Sequence, residues 1–147
     1  TLAVIYNHNM SEITDSLWES LKPYERDDYD LIFLDSTTND LRLTLNNAAE
    51  YLSLDGSTNF NVQTWYHIVI TRNDSNAITM YVNADAQSDT ESSTNTFKVR
   101  YIGSDNPSGN TADFFSGWID EVAIYDDALT AAEVTKNYNA GKGSHKN

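Results

Sequence analysis

Apolar and polar residues alternate along much of this chain with a period of two, in short runs separated by polar turns. Leu41, Leu43 and Leu45 alternate with Arg42 and Thr44; Ile78, Met80 and Val82 with Thr79, Tyr81 and Asn83; Phe97, Val99 and Tyr101 with Lys98 and Arg100. A half-buried strand presents this period, because successive side chains point to opposite faces. Leu2 to Tyr6, Leu31 to Leu34, Tyr51 to Leu54, Trp65 to Thr71 and Trp118 to Tyr125 are strand-like runs of bulkier composition. The segments between them are turns: Glu25 to Asp30, Asp35 to Asp40, Asn73 to Asn76, a polar loop over 85–96 and another over 104–110. Asn46-Asn47 suits a two-residue hairpin, since Asn tolerates positive φ.

Two segments carry a helical period instead. In 11–22, Ile13, Leu17 and Leu21 recur every fourth residue, Ser16 and Glu19 fit a capping box, and Pro23 blocks continuation. Near the end, Thr130 is placed as an N-cap with Glu133 three residues on, and Leu129 and Val134 are spaced for a hydrophobic staple. Ala131, Val134 and Tyr138 then share a face, and Gly141 provides a stop. The tail 142–147 is expected to fray.

Composition agrees with this strand-rich reading. Asn 16, Thr 15 and Ser 14 favour turns over helix interiors, and nine Tyr, five Phe and three Trp supply strand-forming bulk. A chain of 147 residues makes one domain, here placed at 1–141, able to bury roughly 70% of its unfolded surface. It has no cysteine, hence no disulfide, thiol nucleophile or thiolate metal site. A net charge of −13 leaves no basic stripe for nucleic acid or an anionic membrane surface. The same charge suits cation binding and a salty or extracellular medium that screens self-repulsion. No apolar run approaches the ~20 residues of a membrane span. The chain begins at Thr1 rather than Met, so the lack of a visible signal peptide does not exclude one removed earlier.

Two segments carry a family resemblance. Thr64-Trp65-Tyr66-His67-Ile68-Val69 followed by Ile78-Thr79-Met80-Tyr81-Val82-Asn83 resembles the "W-Y-H-V … L-Y-V-N-G" core of laminin G-like modules in the concanavalin A-like lectin/glucanase superfamily. Ile102-Gly103-Ser104, then Phe115 to Tyr125 and Ala128 to Val134, resembles the family's "I-G … F-x-G-x-I-D-E-V-x-I-Y-x-x-A-L-[ST]-x-x-E-[IV]" ending. The resemblance covers 31–140, while 1–30 departs from the family's usual opening strands. It implies an all-β fold: a jelly-roll sandwich of two antiparallel sheets, to which the residue pattern adds a short helix at each end. It also implies a binding or adhesion module, with carbohydrate the common ligand and calcium a frequent partner.

Catalysis is disfavoured. Glucanases on this fold place carboxylates two apart on one strand, so that both enter one cleft. Asp120 and Glu121 are adjacent, and Glu25-Arg26-Asp27 lies in a loop-like stretch without a third acid. His8, His67 and His145 lack metal-ligand spacing, and His67 reads as a structural strand residue. Calcium needs six to eight oxygens, and two Asp/Asn loops could supply them: Asn39-Asp40, and Asp105-Asn106 with Asp113. The first pair resembles a pentraxin calcium ligand pair with its order reversed. The second matches only in part, because Pro107 stands where a third ligand would be. The alternative is an ordinary Asx turn at each place. No organic cofactor is implied.

Sugar sites pair an aromatic face with a few polar groups. Trp18, Tyr24 and Tyr29 lie in the atypical opening segment and are the aromatic candidates, against the plainer reading that Trp18 anchors its helix. Trp65, Tyr81 and Trp118 lie in strands and read as packing residues. Period two places Asp120 with Val122 and Ile124; if that face meets the core, Asp120 is a buried carboxylate tied to a neighbouring turn. Asn9-Met10-Ser11 and Asn73-Asp74-Ser75 are glycosylation sequons, common by chance in so Asn- and Ser-rich a chain. The sequence thus reads as a non-catalytic, glycan-binding module of a secreted, cell-surface or virion protein, with calcium ordering its loops. The alternatives are a structural protein–protein module and, behind it, a glycoside hydrolase. An uncovered sheet edge near 1–30 would favour oligomers.

Overall fold

A computed structural model describes residues 2–8, 31–34, 41–45, 50–53, 64–94, 102 and 117–144. They form strands β1 (Leu2–His8), β2 (Leu31–Leu34), β3 (Leu41–Leu45), β4 (Glu50–Ser53), β5 (Trp65–Arg72), β6 (Ala77–Val82), β7 (Asp85–Ser92) and β8 (Gly117–Ile124), then helix α1 (Ala131–Gly141). Every pairing is antiparallel, in a five-stranded sheet ordered β7-β6-β5-β1-β8 and a three-stranded sheet ordered β2-β3-β4. β4, at an edge of the smaller sheet, comes up against β7, at an edge of the larger. The predicted helix over 11–22, the strand over 97–101 and the loop over 104–110 lie outside the described residues.

β5 is the centre of the larger sheet. Its residues Tyr66 to Thr71 are all buried, on both faces, as a near-continuous apolar run requires. Register sorts them. Ile68 pairs with Val82 and Ile70 with Met80, so these four share one face. His67, Val69 and Thr71 share the other, where α1 packs: Val134 and Val69 form a core pair, with Tyr81, Ala84 and Leu129 against them.

Turn chemistry fixes the two hairpins. In the first, Asn76 N–H donates to the Asn73 carbonyl at 2.9 Å, and Asn76 takes φ 63. The Asn73 Oδ1 accepts the N–H groups of Ser75 and Ala77, each at 3.0 Å, the self-bonding that makes Asn a turn residue. In the second, Asn83 and Ala84 both take positive φ, 53 and 71, which is the type I′ requirement. Ala84 stands where the motif it resembles has glycine. Asn83 also extends the ladder: its Oδ1 accepts the His67 N–H at 3.0 Å and its N–H donates to the His67 carbonyl at 2.8 Å.

Asn83→Ala is therefore expected to destabilise by about 2 kcal/mol, half from the unpaired strand N–H and half from Ala at positive φ. Asn83→Gly keeps the backbone and should lose only the hydrogen-bond half. Urea unfolding of the two variants separates the contributions.

Three expectations are corrected here. Residues 85–92 are strand, not loop: the tight turn at Asn83-Ala84 returns the chain beside β6 as an outer strand, where apolar side chains are not needed to hold the ladder. The β3–β4 connection spans the four residues 46–49 rather than two, because Leu45 pairs with Glu50. Gly141 does not stop α1 in a left-handed cap; it is buried in the last turn, and Lys142 caps the helix with φ −56, its N–H donating to the Tyr138 carbonyl.

Candidate functional site

The C-terminal motif builds a helix start. Glu133 N–H donates to Thr130 Oγ1 at 3.3 Å, and the Thr130 N–H donates back to Glu133 Oε2 at 2.8 Å, a closed capping box. The Thr130 N–H first, and second its hydroxyl, which also donates to Glu133 Oε2 at 2.8 Å, hold the Glu133 carboxyl below its ordinary range. Leu129 and Val134 pack together across the cap. Thr130 and Glu133 thereby aim α1 along β5, so that Tyr138 reaches His67, ring centroids 5.9 Å apart.

The strand before it is bulged. β8 runs regularly beside β1 from His8↔Gly117 to Ile5↔Asp120, then slips: Ala3 pairs with Ala123. One extra residue of β8 is absorbed there, with Glu121 at φ 52. The slip overturns the period-two reading of Asp120. Asp120 lies at the Ile5 level, on the helix-bearing face, while Ile124 pairs with Leu2 and belongs to the other. Asp120 is exposed rather than buried, and its Oδ1 accepts the Glu121 N–H at 2.8 Å.

β1 brings the two resemblance motifs together. Ile5 pairs with His67 on one side and Asp120 on the other; Asn7 pairs with Trp65 on one side and Trp118 on the other. Residues directly opposite in an antiparallel sheet share a face, so two parallel rows cross three strands on the face that carries α1. One is His67–Ile5–Asp120 and the next is Trp65–Asn7–Trp118. Trp118 is 57% exposed and Trp65 half-buried. The indole-bearing positions stand two strand spacings apart, roughly 10 Å.

His67 sits at the inner end of its row, 5% exposed, and among the described residues its Nδ1 has no hydrogen-bond partner. Burial holds the imidazole below its ordinary value, and the Glu121 carboxylate opposes this. Tyr138 packs on the ring from α1, and Lys142 Nζ lies 5.5 Å from the Tyr138 centroid. The folded protein thus binds its proton less readily than the unfolded chain. Stability is present above the ordinary histidine value near 6.5 and is expected to fall as pH drops through it toward the lower folded value. Unfolding free energies between pH 7.5 and 5 should show the slope; His67→Gln should flatten it.

Asn39, Asp40, Asp105, Asn106 and Asp113 lie outside the described residues, as do Trp18, Tyr24 and Tyr29. Among the described residues no group of three carboxylate, imidazole or thiol side chains is gathered to hold a metal ion. Trp65 and Trp118, read as packing residues, are the aromatics that the structure aligns. The exposure of Trp118 corrects that reading for it. A sequence signal for the row is absent, since it depends on β1 lying between β5 and β8.

A family model described as the concanavalin A-like lectin/glucanases superfamily matches residues 10–135. No curated protein is close enough in sequence to count as a match. Among solved structures, the chain is similar to a Bacteroides ovatus ATCC 8483 protein provisionally described as carbohydrate-binding, at TM-score 0.50 and 11% identity, over 92% of this chain. It is also similar to the binding domain of Paraclostridial Mosquitocidal Protein 1, at TM-score 0.41 and 17% identity, over 95% of this chain. The chain spans only 39% and 36% of those two chains.

Proposed function

The chain belongs to the concanavalin A-like lectin/glucanase superfamily, and from that premise we propose that it is a non-catalytic carbohydrate-binding module. The observation that carries the reading is the register that places Trp65 and Trp118 on one face, either side of the same β1 position, with the Trp118 indole exposed. Adjacent Asp120 and Glu121, the second of them in the β8 bulge, lack the two-residue strand spacing by which glycosidases aim two carboxylates into one cleft, which supports binding over hydrolysis. The fold by itself grants no activity.

The two sheets, in this proposal, face each other as a jelly-roll sandwich. Support comes from burial. Ile68, Ile70, Ile78, Met80 and Val82 are buried although α1 lies on the opposite face, and Leu43 of the smaller sheet is 2% exposed. Calcium held by Asn39, Asp40, Asp105, Asn106 and Asp113 would order the loops, a role supported by the oxygen-only chemistry of those side chains. An acidic chain of net charge −13 suits a secreted, cell-surface or virion setting. No helix among the described residues is long and apolar enough to cross a membrane.

A glycan array probed in calcium and again in EDTA tests the reading. Wild-type binding is expected, falling at least tenfold in Trp118→Ala without loss of folding, since truncating one aromatic anchor removes ~1.4 kcal/mol or more. Binding that survives Trp118→Ala would move the site to Trp18, Tyr24 and Tyr29. Loss in EDTA would locate calcium in the working site. A silent array would sink the carbohydrate reading.

A further inference from the structure

We infer that the ligand of this site is a neutral, extended oligosaccharide of at least three rings, spanning from Trp65 to Trp118 across β1 and kept from acidic glycans by Asp120 and Glu121. The inference rests on the carbohydrate-binding reading and names its class of sugar. Trp65 and Trp118 flank the same residue of β1, so their Cα atoms are separated by two strand spacings, roughly 10 Å, on one face. One pyranose covers one indole. Indoles borne on positions this far apart suit rings n and n+2 of an extended chain, with the middle ring over β1. A disaccharide reaches only one of them.

The helix sets where such a chain can lie. α1 covers β5 and the hairpin beyond it through Val134 and Tyr138, on Val69, Ala84 and His67. It leaves Trp118, Asp120 and Glu121 of β8 exposed on the other side of β1. The long axis of the ligand then crosses the strands at the Trp65 end of the sheet, the end toward which α1 runs from Val134 to Tyr138.

Asp120 occupies the row next to Trp118 on the same face, and exposed Glu121 follows it. On the five-stranded sheet the one cation is Arg72, at the opposite end of β5 from Trp65. Lys142, at the helix end, lies over the Tyr138 ring. With the chain at −13, uronate, sialate or sulfate groups would meet like charge at the row and from the whole molecule. Neutral sugars meet none.

Titration calorimetry of the full chain tests this with cellohexaose, xylohexaose and mannohexaose, their disaccharides, and oligogalacturonate and heparin as acidic probes. At least one neutral hexasaccharide is expected to bind, with its disaccharide tenfold weaker or more. Trp118→Ala should lose tenfold or more, and Trp118→Tyr should recover most of it. The acidic probes should not bind wild type, and should gain when Asp120→Asn is combined with Glu121→Gln. Equal affinity for disaccharide and hexasaccharide overturns the span. Acidic probes binding as well as neutral ones, or no neutral hexasaccharide binding while the array shows other glycans, overturns the class and leaves the carbohydrate reading standing. Silence of both calorimetry and array removes the two together.

Discussion

Val134→Asp is expected to undock α1 and to destabilise the protein by about 4 kcal/mol or more, a large share of the 5–15 kcal/mol that holds a domain together. Val134 is 0% exposed and is the side chain through which the helix meets Val69, also 0% exposed, with Tyr81, Ala84 and Leu129 around them. A carboxylate there has no cation in the cluster to pair with, so it must either pull the helix away or take up a proton. Val134→Ala removes the same contacts without the charge and should lose roughly 2 kcal/mol. For a chain of this size the two variants should lower Tm by roughly 8–16 °C and 4–8 °C. Helical ellipticity should fall with the first only. A helix merely appended to the sheet would show neither change. Undocking would also strip His67 of its Tyr138 cover, so the pH slope below 6.5 should weaken in Val134→Asp along with the helix.

What could be read from the sequence was local. Five consecutive positions, Leu129 to Glu133 with Val134 beside them, specify a cap, a reciprocal hydrogen bond and a staple, and the helix begins there. Trp65 to Thr71 and Ile78 to Val82 are legible because burial on two faces and on one face leave different apolar patterns. β7 was not legible. Its residues carry no apolar alternation, and what returns the chain is the pair of positive φ angles at Asn83 and Ala84. Period two puts Asp120 on the wrong face for a related reason: one inserted residue at Glu121 inverts the parity of β8, and composition does not announce a bulge. The tryptophan row was hidden because it is a matter of register. Asn7, Trp65 and Trp118 are more than fifty residues apart in sequence at each step, and only the insertion of β1 between β5 and β8 makes them neighbours. Binding residues on ordered sheets are in general hardest to foresee, since a strand tryptophan looks the same in sequence whether its face is covered or not.

Met80→Ala carries the second large effect, and it bears on the face that α1 does not touch. Met80 is 0% exposed in the middle of β6, paired with Ile70 of β5, with Ile68, Ile78 and Val82 buried around it. A single sheet cannot bury this face by itself, and the helix lies on the opposite one. Truncation here should lose 2–5 kcal/mol, because the removed atoms leave a cavity that a packed interior fills poorly. Met80→Leu keeps the volume and should lose less than about 1.5 kcal/mol. A loss below about 1 kcal/mol for the alanine variant would mean that the face collapses freely and is not the inside of a sandwich. Leu43 of β3, buried in the smaller sheet, completes the experiment. If the two sheets pack face to face with Met80 against Leu43, the combined loss of Met80→Ala and Leu43→Ala should differ from the sum by at least about 0.5 kcal/mol. Strict additivity would mean that the two side chains do not touch across the sheets.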